Sequence, residues 1–67
     1  MNTLTSSNDI VNDRGERVAT ILSGDADLAV RLINKADRHQ ERRQYTAAAR
    51  LNYRAEQVAR IEWEIDR

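Results

Sequence analysis

Apolar residues recur at helical spacing over most of the chain. After Gly24, Leu28, Ala29, Leu32, Ile33 and Ala36 share one stripe; further on, Leu51, Val58 and Ile65 recur every seven residues with Ala47, Arg54 and Ile61 interleaved. That is the three-four spacing of a helical seam. On the opposite side of the same stretch Tyr45, Ala49, Tyr53, Glu56, Arg60 and Trp63 align, and every aromatic residue of the chain is among them. A helix needs one side for its own fold, so a second apolar-aromatic side predicts a second contact. Earlier in the chain Val11, Gly15, Val18 and Leu22 fall on one stripe with Ile21 beside it.

Start and stop signals divide these stripes. Ser6-Ser7-Asn8-Asp9 reads as a helix start, with Ser6 as N-cap and Asp9 as its reciprocal partner. The alternative is a turn over Asn12-Asp13-Arg14-Gly15, with the helix beginning at Asp13 and Glu16 closing the capping box. Gly24 stands where a left-handed C-terminal residue is usual, Asp25 can cap the next helix at once, and Asp27 suits its first turn. Between Asp37 and Thr46 the stripe loses its apolar members to His39, Gln40 and Arg43, yet no Gly or Pro follows Gly24. A continuous helix of about 60 Å is favoured, the alternative being a bend near Gln44–Thr46 with Thr46 as a new cap. The pattern therefore predicts an all-α fold: a helical hairpin of a short helix near residues 7–22 and a long one near 25–66, kinked, if at all, near 44–46. Residues 1–5 show no periodicity and are expected to be disordered.

Length changes this picture by demanding a second stabilising device. The 67 residues make a single domain, 1–67, with no internal repeat, no linker and no cysteine. A chain of this size is marginal without a staple, and neither a disulfide nor a cysteine zinc site is available. Homodimerisation through the C-terminal helix is the remaining device, with Leu51, Arg54, Val58, Ile61 and Ile65 as the seam. An antiparallel pairing brings Arg42 and Arg43 towards Glu64 and Asp66 of the partner. The N-terminus has neither the basic nor the apolar region of a signal peptide, and no apolar run is long enough to span a membrane. A soluble, cytoplasmic protein is expected.

Net charge is zero, but its distribution is uneven. Residues 38–54 hold Arg38, Arg42, Arg43, Arg50 and Arg54 against Glu41 alone, whereas 1–37 and 55–67 are each acidic on balance. Such asymmetry speaks about partners rather than fold. No phosphate loop, metalloprotease motif or cysteine nucleophile is present, the serines stand in caps and turns, and the lone His39 lacks the ligands for a metal. No enzymatic activity, cofactor or metal is expected. Tyr45, Tyr53, Arg60, Trp63 and Glu64 form the candidate patch for a protein partner, since Trp, Tyr and Arg most often anchor interfaces.

A nucleic-acid role is the alternative. Arg38, Arg42, Arg43 and Arg50 would meet phosphates, and Tyr45 and Tyr53 would stack on bases. The segment VATILSGDADLAVRLINK resembles a helix-turn-helix, although Gly24 follows Ala19 by five residues where four is usual, and Asp25 and Asp27 open the second helix.

The chain also reads as a complete small open frame with ten arginines to one lysine. With VATILSGDADLAVRLINKA and the two-faced RLNYRAEQVARIEWEID, it resembles the small phage-encoded helical proteins that bind and inhibit a host protein, among them anti-activators of quorum-sensing regulators. The resemblance implies a homodimeric inhibitor or regulator whose acidic-aromatic surface blocks the basic DNA-contacting region of a transcription regulator. It covers the chain in size and style and carries no residue roles with it.

Overall fold

The computed structural model describes residues 1–64. In chain order it holds β1 (Thr3–Leu4), β2 (Asp9–Val11), β3 (Arg17–Gly24), α1 (Ala26–Glu41), α2 (Tyr45–Val58) and β4 (Ala59–Trp63). The strands make one antiparallel sheet in the order β1-β2-β3-β4. The helices pack on it over a core of Ile10, Val18, Ala19, Ile21, Ala29, Ile33, Ala55 and Ala59. The fold is therefore α+β, which overturns the expected all-α helical hairpin; the helix expected to carry the seam from Leu51 to Ile65 ends at Val58.

The expected first helix is two hairpins. Thr5 and Asn12 open three-residue loops of the same design. Thr5 N–H donates to Asp9 C=O at 2.8 Å and Asn12 N–H to Glu16 C=O at 2.9 Å. Thr5 Oγ1 accepts from the N–H groups of Ser7 and Asp9, and Asn12 Oδ1 from those of Arg14 and Glu16. Each loop closes on a residue with positive φ, Asn8 at 61° and Gly15 at 78°, the usual build of a three-residue hairpin loop. Short polar side chains bonding to backbone N–H groups serve helix caps and turns equally, so Ser6 to Asp9 fitted both. The turn at Asn12–Gly15 forms, but no helix starts from it.

β3 carries two irregularities that disguise it. Its register against β2 slips between Ile10 and Val11, and against β4 between Ile21 and Ser23. Each slip inserts one extra residue into the alternation of a strand. Val18 and Ala19 are consequently both buried, as is Ile21, while Leu22 is exposed. Apolar residues at 18, 19, 21 and 22 then mimic helical spacing. The helix-turn-helix resemblance falls with this, because its first helix is a strand.

α1 begins as expected. Leu28 N–H donates to Asp25 Oδ1 at 3.1 Å, Asp27 lies in the first turn, and Ala29, Ile33 and Ala36 face the core. The long helix, however, stops at Glu41. Gln44 N–H donates to His39 C=O and Arg43 N–H to Gln40 C=O, both at 2.9 Å, with Arg43 at φ 60°. These two bonds around a left-handed residue are a Schellman ending, here without glycine. Gln44, not Thr46, is the N-cap position of α2, and the chain reverses so that α2 lies against α1. Helix then passes directly to strand at Val58–Ala59. Ile61, expected on a helix, pairs with Ile21 in the sheet, while Ile65 lies outside the described residues.

The helix-facing side of the sheet carries Ile10, Ala19 and Trp63 as one cross-strand row, with Ile21 and Ile61 as the next. The other side is polar: Thr20 Oγ1 donates to Asp9 Oδ1 at 2.6 Å, and Arg17 pairs with Glu64 at 2.8 Å. The N-terminal residues are tied to α1. Asn2 N–H donates to Asn34 Oδ1, Asn34 Nδ2 to Asn2 C=O, and Asn2 Nδ2 to Asp37 Oδ2. No described helix is long and apolar enough to cross a membrane.

Candidate functional site

The outward side of α1 is a ridge of cations. Arg31, Lys35, Arg38 and Arg42 follow at intervals of four, three and four residues, and all are exposed. At helical spacing they share one face and extend about 16 Å along the axis. The alternation of core and solvent fixes this, since Ala29, Ile33 and Ala36 hold the opposite side inward. Arg38 in the last turn of α1 and Arg42 at its C-cap are also favourable to the helix dipole. No cation of either helix forms an ion pair with another described residue, the two pairs present being Met1–Asp13 and Arg17–Glu64.

Near the end of the ridge, Lys35, Arg38, His39 and Arg42 line an open cleft of about 260 Å³. His39 is held there by its turn: its Nδ1 is 2.6 Å from Gln44 Oε1. The reversal at Arg43 then brings α2 alongside, where Ala48 and Ala55 are buried and Tyr45, Ala49, Arg50, Tyr53 and Arg54 are exposed. Tyr45 and Tyr53 keep 61% and 64% of their surface open, so large aromatic area and a row of cations belong to one helical layer.

Charge is divided between the layers. Residues 26–58, which hold both helices, carry seven Arg or Lys and four Asp or Glu, a net of +3; residues 1–25 and 59–64, which hold the strands, carry three against six, a net of −3. The helix-bearing segment is thus basic on balance, two of its cations being Arg42 and Arg43 in the turn between the helices, and the strand-bearing segments are acidic on balance through their loops.

The residues expected to bind a protein partner are distributed over both layers. Tyr45 and Tyr53 are on exposed α2. Trp63 is half-buried against the core from β4, its Nε1 donating to Glu56 Oε1 at 2.7 Å. Arg60 projects from the polar side of the sheet, since its neighbours Ala59 and Ile61 face the core, and Glu64 pairs with Arg17 there. Of the expected dimer seam, Val58 and Ile61 pack against the chain's own core, Leu51 is half-buried and Arg54 exposed. The residues named for nucleic acid, Arg38, Arg42, Arg43 and Arg50, are all exposed on the helical layer or its turn. Arg31 and Lys35 complete the ridge and were missed because charge was counted by segment; their helical spacing from Arg38 and Arg42 was the available signal.

No group of three or more His, Cys, Asp or Glu suited to a metal occurs among the described residues. Comparison of the chain with family models, curated proteins and solved structures finds no match.

Proposed function

We propose that the chain is a non-enzymatic binding protein that holds single-stranded nucleic acid across its helical layer. The supporting observation is the ridge Arg31-Lys35-Arg38-Arg42, exposed and without acidic partners among the described residues. Cations spaced by one helical turn suit successive phosphates, and Tyr53, exposed on the adjacent helix, offers a face for a base. Zero net charge over the whole chain does not oppose this, because a ligand senses the near surface within about 10 Å at ordinary salt, and the four cations share one exposed helical face. Arginine and lysine on the ridge meet phosphate rather than base edges, so the contact is tolerant of sequence.

Fluorescence anisotropy with a labelled single-stranded oligonucleotide tests this. Four phosphate contacts predict affinity falling about fifty-fold between roughly 50 and 200 mM salt. The double variant Arg38→Ala/Arg42→Ala should bind more weakly and halve the salt slope, with unchanged circular dichroism. Absence of binding at low salt, or a slope unmoved by the double variant, contradicts the proposal.

The exposed Tyr45 and Tyr53 favour a second reading, an inhibitor or regulator that docks these rings on a host protein such as a transcription regulator. In that case Tyr53→Ala abolishes capture of the protein partner, while oligonucleotides bind neither form.

A further inference from the structure

We infer that two copies of the chain join edge to edge through β4, giving one eight-stranded antiparallel sheet. The two edges of the sheet differ. β1 has two residues, whereas β4 has five and no described strand on its outer side. An exposed edge of that length is a template for another strand.

The backbone of β4 is set for such pairing at its centre. Val58 C=O accepts from Asp25 N–H at 3.0 Å, and Glu64 N–H donates to Val18 C=O at 2.8 Å. Even-numbered residues therefore address β3, and Ile61 directs its N–H and C=O away from it. Two Ile61 residues facing each other across a two-fold axis exchange both hydrogen bonds.

The side chains agree with this register. About Ile61 the sequence reads Ala59-Arg60-Ile61-Glu62-Trp63. Antiparallel self-pairing sets Arg60 opposite the second copy's Glu62 and the reverse, on the polar side of the sheet. On the core side, Ala59 falls opposite Trp63, small against large. Charged residues on an edge strand can also serve to keep other strands away, but here their order makes the edge complementary to itself. A one-residue slip would lose the opposite-charge pairing.

The arrangement brings α2 next to its mate. Strands are about 4.8 Å apart and two helices cover four strands, which sets the two α2 axes about 10 Å apart, the usual separation of packed helices. Glu56 of α2 holds Trp63 of β4, so the side of α2 nearest the axis is the stripe of Glu56 and Ala49, with Tyr45 and Tyr53 flanking Ala49 on its exposed edge. Both basic ridges then lie on the same side of the extended sheet.

Sedimentation equilibrium without nucleic acid tests this independently of the proposed ligand. The wild-type chain should show twice its 7.7 kDa mass at micromolar concentration. Arg60→Glu alone and Glu62→Arg alone place like charges opposite each other twice and should weaken the dimer about tenfold or more. The double exchange Arg60→Glu/Glu62→Arg restores complementarity and should restore the dimer. A monomeric wild type, a dimer insensitive to the single reversals, or a double variant that stays monomeric overturns the inference. Circular dichroism monitors the fold. Should a single reversal unfold the chain, the double variant decides, its dimer supporting the inference and its monomer refuting it.

Discussion

Gly24 joins the two halves of the fold at one atom's width. Its φ is +95°, and a Cβ built there would stand 2.6 Å from Val58 C=O and 2.7 Å from the Ala59 Cα. The last residue of β3 thus presses against the junction where α2 becomes β4. Gly15 is a control: its φ is +78°, but nothing lies within 4 Å of a Cβ there. Gly15→Ala should cost about 1 kcal/mol, the price of a left-handed conformation alone. Gly24→Ala adds a backbone collision and should cost about 3 kcal/mol or more. In a domain this small that is most of the stability, so urea denaturation should separate the two variants plainly. The sequence places Gly24 in a left-handed position at the end of a helix; the positive φ is present, but the element it ends is β3. Its contact was not legible, because Val58 and Ala59 are distant in sequence and nothing local points to them.

Elements were legible where one rule governed them and obscured where two rules shared a signature. α1 has its cap at Asp25 and its stripe through Ala29, Ile33 and Ala36 as the spacing implies. β3 was hidden because two register slips convert alternation into the one-three-four spacing of a helix. β4 was hidden differently: Ala59, Ile61 and Trp63 do alternate with Arg60 and Glu62, but Ile61 also continued the helical seam from Leu51 and Val58, and no glycine or proline marked the change. The turn between the helices lacked its usual glycine, Arg43 taking the left-handed position at φ 60°. That absence is why a bend near 44–46 stood only as the alternative. It also gives a prediction for the turn: Arg43→Gly should stabilise the chain by about 1 kcal/mol. The gain should appear as a melting temperature higher by roughly 4–8 °C for a domain of this size.

Across the whole molecule, charge matters more by layer than by total. The segment that holds both helices and their turn, 26–58, carries +3, and the flanking segments that hold the strands and their loops carry −3, the folded form of the acidic-basic-acidic order along the chain. Segment counts detected a basic belt over residues 38–54, while the ridge that begins at Arg31 needed the helix face to be seen. The proposed nucleic-acid surface is the helical ridge, and the proposed self-association surface is the β4 edge. Ligand binding and self-association can therefore be broken independently, by Arg38→Ala/Arg42→Ala on one side and by a single reversal at Arg60 or Glu62 on the other.

Amide chemical-shift mapping of the ¹⁵N-labelled protein during titration with a single-stranded oligonucleotide tests the central claim most directly. Perturbations concentrated on Arg31 to Gln44 and around Tyr53, with the amides of β2 and the outer side of β3 unmoved, are the predicted result. Perturbations confined to the sheet, or none at low salt, would contradict it.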